Sequence, residues 1–180
     1  AGWGGGLTSE DATPTVTSRE SQAGLQAMVD AYKDGTISSA STGATEEETN
    51  LSFTQGDTAM AINWPYMYEN SEADGSAVKG KVEVSPLVGK DGVGVSTLGG
   101  YNNGINVYSE NKATATAFLE FLISEDVQMG FAQESFPPVL SSIYDDAALQ
   151  EQFPYMEALK AALDNAEPRP VSPFYPALSK

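Results

Sequence analysis

Apolar residues recur at helical spacing from Leu25 through Met28 and Val29 to Tyr32. This stripe predicts an amphipathic helix, opened by the capping-box pattern of Thr17 and Glu20 and stopped at Gly35. After a Ser/Thr/Gly-rich loop the signals repeat, with Thr45 as N-cap, Glu46 to Glu48 in the first turn and Gly56 closing the helix. Acidic side chains there complement the helix dipole, so capping outweighs a cation site. The run "TAMAI" predicts a short buried strand, and "KVEVSPL" (Lys81 to Leu87) alternates apolar and polar residues as a second strand. "INVY" predicts a third. Pro65 suits the first position of a helix, which makes Trp64-Pro65 a strand-to-helix corner.

Further along, Ser109 is placed to cap a long helix, "ENKATATAFLEFLIS", with Ala117, Phe118, Phe121 and Leu122 on its buried stripe. Ser124 opens another helix with Glu125 and Asp126 in its first turn. "FPPVL" reads as extended, Pro154 introduces the helical "YMEALKAAL", and "EPRPVSPFYP" is a proline-rich extended segment. The glycine-dense loop from Val88 to Gly104 holds "DGVG", too short for a calcium loop of the EF-hand type and read as a turn. Helices alternate with short strands, so the class is α/β. No internal repeat is visible. The chain opens at what reads as mid-element and stops where a helix begins, as a stretch of a longer protein would.

Composition narrows the function. A chain of 180 residues with 41% hydrophobic content can bury roughly 70% of its unfolded surface. It has no run of about 18 apolar residues for a membrane span, and its start lacks the basic and apolar regions of a signal peptide. A net charge of −16, from 25 acidic and 9 basic residues, disfavours nucleic acid and anionic membranes. With neither cysteine nor histidine, thiol nucleophiles, disulfides, the usual zinc sites and a Ser-His-Asp triad are excluded. There is no phosphate-binding glycine loop and no nucleophile elbow. Carboxylate pairs such as Asp145 and Asp146 carry no signal by spacing alone. No cofactor is indicated.

Aromatic and amide groups on loops remain. Trp64, Tyr66 and Tyr68 cluster at one predicted strand end; Gly99 and Gly100 precede Tyr101, Asn102 and Asn103; Arg169 sits between prolines, with Phe174 and Tyr175 beyond. A pyranose offers C–H faces that stack on aromatic rings and a rim of hydroxyls that donate and accept. Aromatic platforms with a few fixed polar groups are what such a ligand requires. Tyr68 and Phe174 read as core, whereas Trp64, at the C-terminal end of a predicted strand, reads as functional.

The order of motifs "FTQGDTAMAINWPY", "GKVEVSPLVG", "STLGGYNNGINVYSENKATATAFLEFLISEDVQ", "FPPVLSSIYDD" and "PRPVSPFYP" resembles the solute-binding proteins of sugar ABC importers, the trehalose/maltose-binding group in particular. The resemblance runs from about Phe53 to Pro176. It implies a periplasmic-binding-protein-like α/β fold, two lobes joined by a hinge with sugar held in the cleft, of which this chain is the C-terminal portion. It further implies that residues 1–86 belong to the C-terminal lobe, 87–123 return to the N-terminal lobe, and 124–180 go back. By the same resemblance Trp64 stacks on the sugar with Tyr66 beside it, Gly99, Gly100 and Tyr101 close over it with Asn102, Arg169 reaches hydroxyls, and Tyr175 lies near the cleft. Tyr101 stands where many relatives have tryptophan, and the acidic residues that grip sugar hydroxyls are expected outside this chain.

The implied function is a non-enzymatic, extracytoplasmic receptor, periplasmic or lipid-anchored. It passes an oligosaccharide, a disaccharide in the first instance, to a membrane permease. A carbohydrate-active enzyme using an Asp/Glu pair and a passive interaction module are the alternatives. These 180 residues alone are expected to bind sugar poorly, and to self-associate or to keep the missing segment as a separate piece.

Overall fold

The computed structural model describes residues 2–9, 11 and 13–179. The chain divides into two units. The first comprises Ala1–Ala44, Pro86–Gly99 and Ala161–Lys180; the second comprises Thr45–Ser85 and Gly100–Lys160. The chain therefore passes from one unit to the other four times.

The first unit begins with helix α1 (Arg19–Lys33). Its N-cap is Ser18, whose hydroxyl accepts from Ser21 N at 3.1 Å. The expected Thr17–Glu20 box is thus replaced by a simple cap one residue on, in which Ser18 satisfies a free amide of the first turn. Strands β1 (Val88–Gly89) and β2 (Gly92–Val93) pair antiparallel as a hairpin, so the "DGVG" turn is real. A Cβ on Gly89 would come within 2.8 Å of Gly2 O, and one on Gly94 within 2.9 Å of Leu87 O; these two glycines let backbone pack on backbone. Strand β3 (Thr97–Leu98) runs parallel to β4 (Glu167–Pro168), and Asn165 Nδ2 donates to Gly94 O at 2.8 Å. Among its described residues only Gly89 and Gly94 are buried, so this unit has no apolar core of its own.

The second unit has one. It holds helices α2 (Glu46–Thr54), α3 (Tyr66–Glu72), α4 (Lys112–Leu122), α5 (Glu125–Gln133) and α6 (Ala147–Gln152), together with most of α7 (Tyr155–Asp164). A four-residue helix, α8 (Tyr175–Leu178), ends the first unit. Ala132, Ile143, Tyr144, Leu149, Tyr155 and Met156 form the buried cluster, with Tyr68, Met129, Leu140, Phe153 and Leu159 packed against it. The Tyr68 ring lies against Tyr155, with centroids 4.7 Å apart and the planes tilted by 38°, which fits its reading as core.

Several buried polar groups are tied in. Gln128 donates to Leu122 O and accepts from Val139 N, each at 2.7 Å. The Tyr144 hydroxyl donates to Pro138 O at 2.9 Å, and burial pushes this phenol up to about 12. Asp146 caps α6, a helix the sequence reading left out, by accepting from Leu149 N at 2.8 Å, while Asp145 pairs with Lys160. Both carboxylates thus have structural work.

The capping box of Thr45 and Glu48 is present as expected, with Glu48 accepting from Thr45 N at 2.7 Å and Thr45 Oγ1 accepting from Glu48 N at 3.3 Å. Ser124 precedes α5, also as expected. The N-cap of α4 is Asn111 instead of Ser109, whose hydroxyl accepts from Asn111 N ahead of the helix.

The strands expected at "TAMAI", "KVEVSPL" and "INVY" are not found: none of these segments pairs in a ladder among the described residues. Met60 and Ile62 are 81% and 76% exposed. Alternation equips a segment for a sheet, but a ladder also needs a neighbouring strand to receive its hydrogen bonds. The helical stripes behave alike. Leu25, Met28, Phe118 and Phe121 keep their spacing on α1 and α4 yet stay exposed, because nothing within their own unit covers them. No described helix is long and apolar enough to cross a membrane.

Candidate functional site

The Trp64 corner is built against the first turn of α2. Asn63 bridges the two segments: its Nδ2 donates to the Glu46 carbonyl at 2.9 Å and its Oδ1 accepts from Trp64 N at 2.8 Å. The indole Nε1–H donates to Glu46 Oε2 at 2.7 Å. Pro65 then adopts helical angles and leads into α3, so the chain turns away immediately after the tryptophan. The ring is left 54% exposed with its polar edge already satisfied. What remains for a ligand is an apolar face, the part of an indole that stacks on C–H groups.

Tyr66, half-buried at the start of α3, points its hydroxyl at Glu47 Oε1 across 3.5 Å. Burial, with the charges of Glu47 and Glu46 adding to it, raises its pKa. The acidic triplet is therefore divided. Glu48 closes the capping box, which holds its carboxyl below the usual range, while Glu46 and Glu47 face the aromatic corner. Sequence reasoning assigned all three to helix capping and passed over Asn63. The available signal was that one capping box uses only one of three carboxylates.

The other expected residues form less. Gly99 closes a stretch of the first unit and Gly100 opens one of the second. From Gly99 to Asn103 the backbone makes no turn, and neither glycine is among those with positive φ. A Cβ on Gly100 would meet nothing within 4 Å. Tyr101 is fully exposed and Asn102 is exposed beside it.

Arg169 and Tyr175, both in the first unit, do come together: the guanidinium lies 5.4 Å from the ring centroid, in cation–π range. Phe174, expected in the core, is 75% exposed, because the first unit has no core to receive it. A hollow of about 390 Å³ in that unit is lined by Trp3, Arg19, Glu20, Ala23 and Lys90, none of them an expected site residue.

Known proteins share this architecture. The profile of the family described as bacterial extracellular solute-binding protein matches residues 1–129. A probable ABC transporter-binding protein of Deinococcus radiodurans is 30% identical over 175 residues, covering 94% of this chain and 40% of that protein. Among solved structures, maltose-bound T. maritima MalE3 superposes with a TM-score of 0.87 at 34% identity, covering 98% of this chain and 46% of that one. An ABC transporter solute-binding protein from Agrobacterium radiobacter K84 in complex with ribitol gives 0.77 at 23% identity, covering 98% and 46%, and speaks to the fold alone. The chain spans less than half the length of these relatives. Its fold is the α/β fold of the periplasmic binding proteins, and the chain belongs to the bacterial extracellular solute-binding proteins.

Proposed function

We propose that this protein is a carbohydrate receptor of an ABC importer: it captures a disaccharide outside the cytoplasm and delivers it to a membrane permease without chemical turnover. The observation that carries the reading is the Trp64 corner, an aromatic face held in place with its N–H already satisfied. The 34% identity with a maltose-bound protein supports maltose as the first ligand to try, and the motif resemblance adds trehalose. Within the first unit, the Arg169–Tyr175 pair offers a fork of donors beside an aromatic ring. Asp145 and Asp146, engaged by Lys160 and by the cap of α6, lend nothing to a glycosidase reading. The receptor works by population shift, in which the sugar must bind the closed form more tightly than the open one. Family membership supports a location outside the cytoplasm, and in this reading the receptor is free in a periplasm or lipid-anchored.

Calorimetry with maltose and trehalose, on the full-length polypeptide and in parallel on these 180 residues, tests the proposal. Saturable binding with no released product is expected, weaker for the 180 residues alone. Product release, or no binding of either sugar by the full-length polypeptide, defeats it.

Arg169→Lys is expected to lose nearly as much sugar affinity as Arg169→Ala. An ammonium copies neither the planar fork nor its stacking over Tyr175. Unchanged affinity in the lysine variant would reduce Arg169 to a surface charge.

A further inference from the structure

We propose that Glu46 is the positioning residue of the Trp64 platform, setting the plane of the indole on which the sugar stacks; the inference rests on the sugar-receptor reading above. A half-exposed tryptophan is not fixed by packing alone, since one face of the ring has no neighbour to resist rotation. Here two independent attachments converge on a single residue. The Glu46 carboxylate takes the indole Nε1–H at 2.7 Å, a short charge-assisted bond, and the Glu46 carbonyl takes the Asn63 amide that also holds Trp64 N. The first fixes the ring and the second fixes the backbone that carries it. Glu46 is itself rigidly mounted, as the first residue of a helix whose end is closed by Thr45 and Glu48. Because Glu48 performs the capping, the Glu46 carboxylate is free for Trp64.

A carboxylate in the first turn also interacts with the helix dipole, and one pair of variants separates the two roles. Glu46→Gln keeps an acceptor oxygen but loses the charge; Glu46→Ala loses both. The chain has two tryptophans, so Trp3→Phe leaves Trp64 as the sole indole reporter. In that background of the 180-residue chain, Glu46→Ala is expected to shift the Trp64 emission to the red and lower its anisotropy, while Glu46→Gln leaves both near the parent values. Unchanged emission and anisotropy in Glu46→Ala, or equal disturbance by both variants, would overturn the proposal.

The binding arm uses maltose and the full-length polypeptide. Glu46→Ala is expected to weaken affinity about tenfold and Glu46→Gln less than about threefold, within the range of a hydrogen bond to a charged group. In a Trp64→Phe background, which has no ring N–H, Glu46→Ala should cost nothing more. A full tenfold loss there would show that Glu46 acts on the sugar or on the fold instead of through the ring, and would sink the assignment. If the unsubstituted protein binds neither maltose nor trehalose, the receptor reading fails, and the fluorescence arm still decides whether Glu46 positions Trp64.

Discussion

Ile143→Ala lowers the unfolding free energy by about 2–5 kcal/mol, the usual range for emptying a large aliphatic site in a packed core. Phe118→Ala changes it by no more than about 0.5 kcal/mol, as expected of an exposed position. Hydrophobicity ranks these substitutions the other way, since phenylalanine carries the larger apolar surface. Burial decides: Ile143 is 1% exposed at the centre of the only apolar cluster formed by described residues, whereas Phe118 lies on a face of α4 with little cover. Urea unfolding of the 180-residue chain, followed by circular dichroism, reads both values. Comparable losses would mean that α4 packs in solution against something its own unit does not supply.

Trp64→Ala is expected to weaken disaccharide binding about thirtyfold, corresponding to roughly 2 kcal/mol for an aromatic anchor, with little change in unfolding midpoint. The two halves of the expectation come from the same geometry. The ring presents an open face, so its removal empties no core, and α2 keeps its own capping box when the indole is gone. Calorimetry with maltose on the full-length polypeptide measures the first half and thermal unfolding the second. Normal affinity would remove Trp64 from the site; unfolding would make it a structural residue.

Local signals were the legible ones. Thr45 with Glu48, Ser124 before α5, and Pro65 after Trp64 each act within one turn of chain, and each stands where the sequence places it. The strands were misread for the opposite reason. "KVEVSPL" has the alternation of a strand, but alternation belongs to one segment and a ladder to two. The burial of Phe174 was misread in the same way, since apolar character does not reveal whether a core lies within reach. At the candidate site, the corner was legible because proline after tryptophan is strong punctuation. Glu46 was not: its partner lies eighteen residues away, and a nearby explanation, the helix dipole, already accounted for an acidic residue there.

The four passages of the chain between its units determine how the protein responds to a protease. The first unit is assembled from three separate stretches and the second from two. A single cleavage after Ala44, Ser85, Gly99 or Lys160 therefore never releases a unit; in every case it leaves the first unit's residues on two polypeptides. The pieces would have to be held by bonds such as the one from Lys90 N to Gly2 O at 2.9 Å, which spans the first two cuts, and the one from Glu167 N to Ser96 O at 2.9 Å, which spans the last two. A nicked sample would run as two bands under denaturing conditions while eluting as one species in native buffer. Neither unit can be expressed by choosing one start and one stop: each would require joining ends that the natural chain keeps apart.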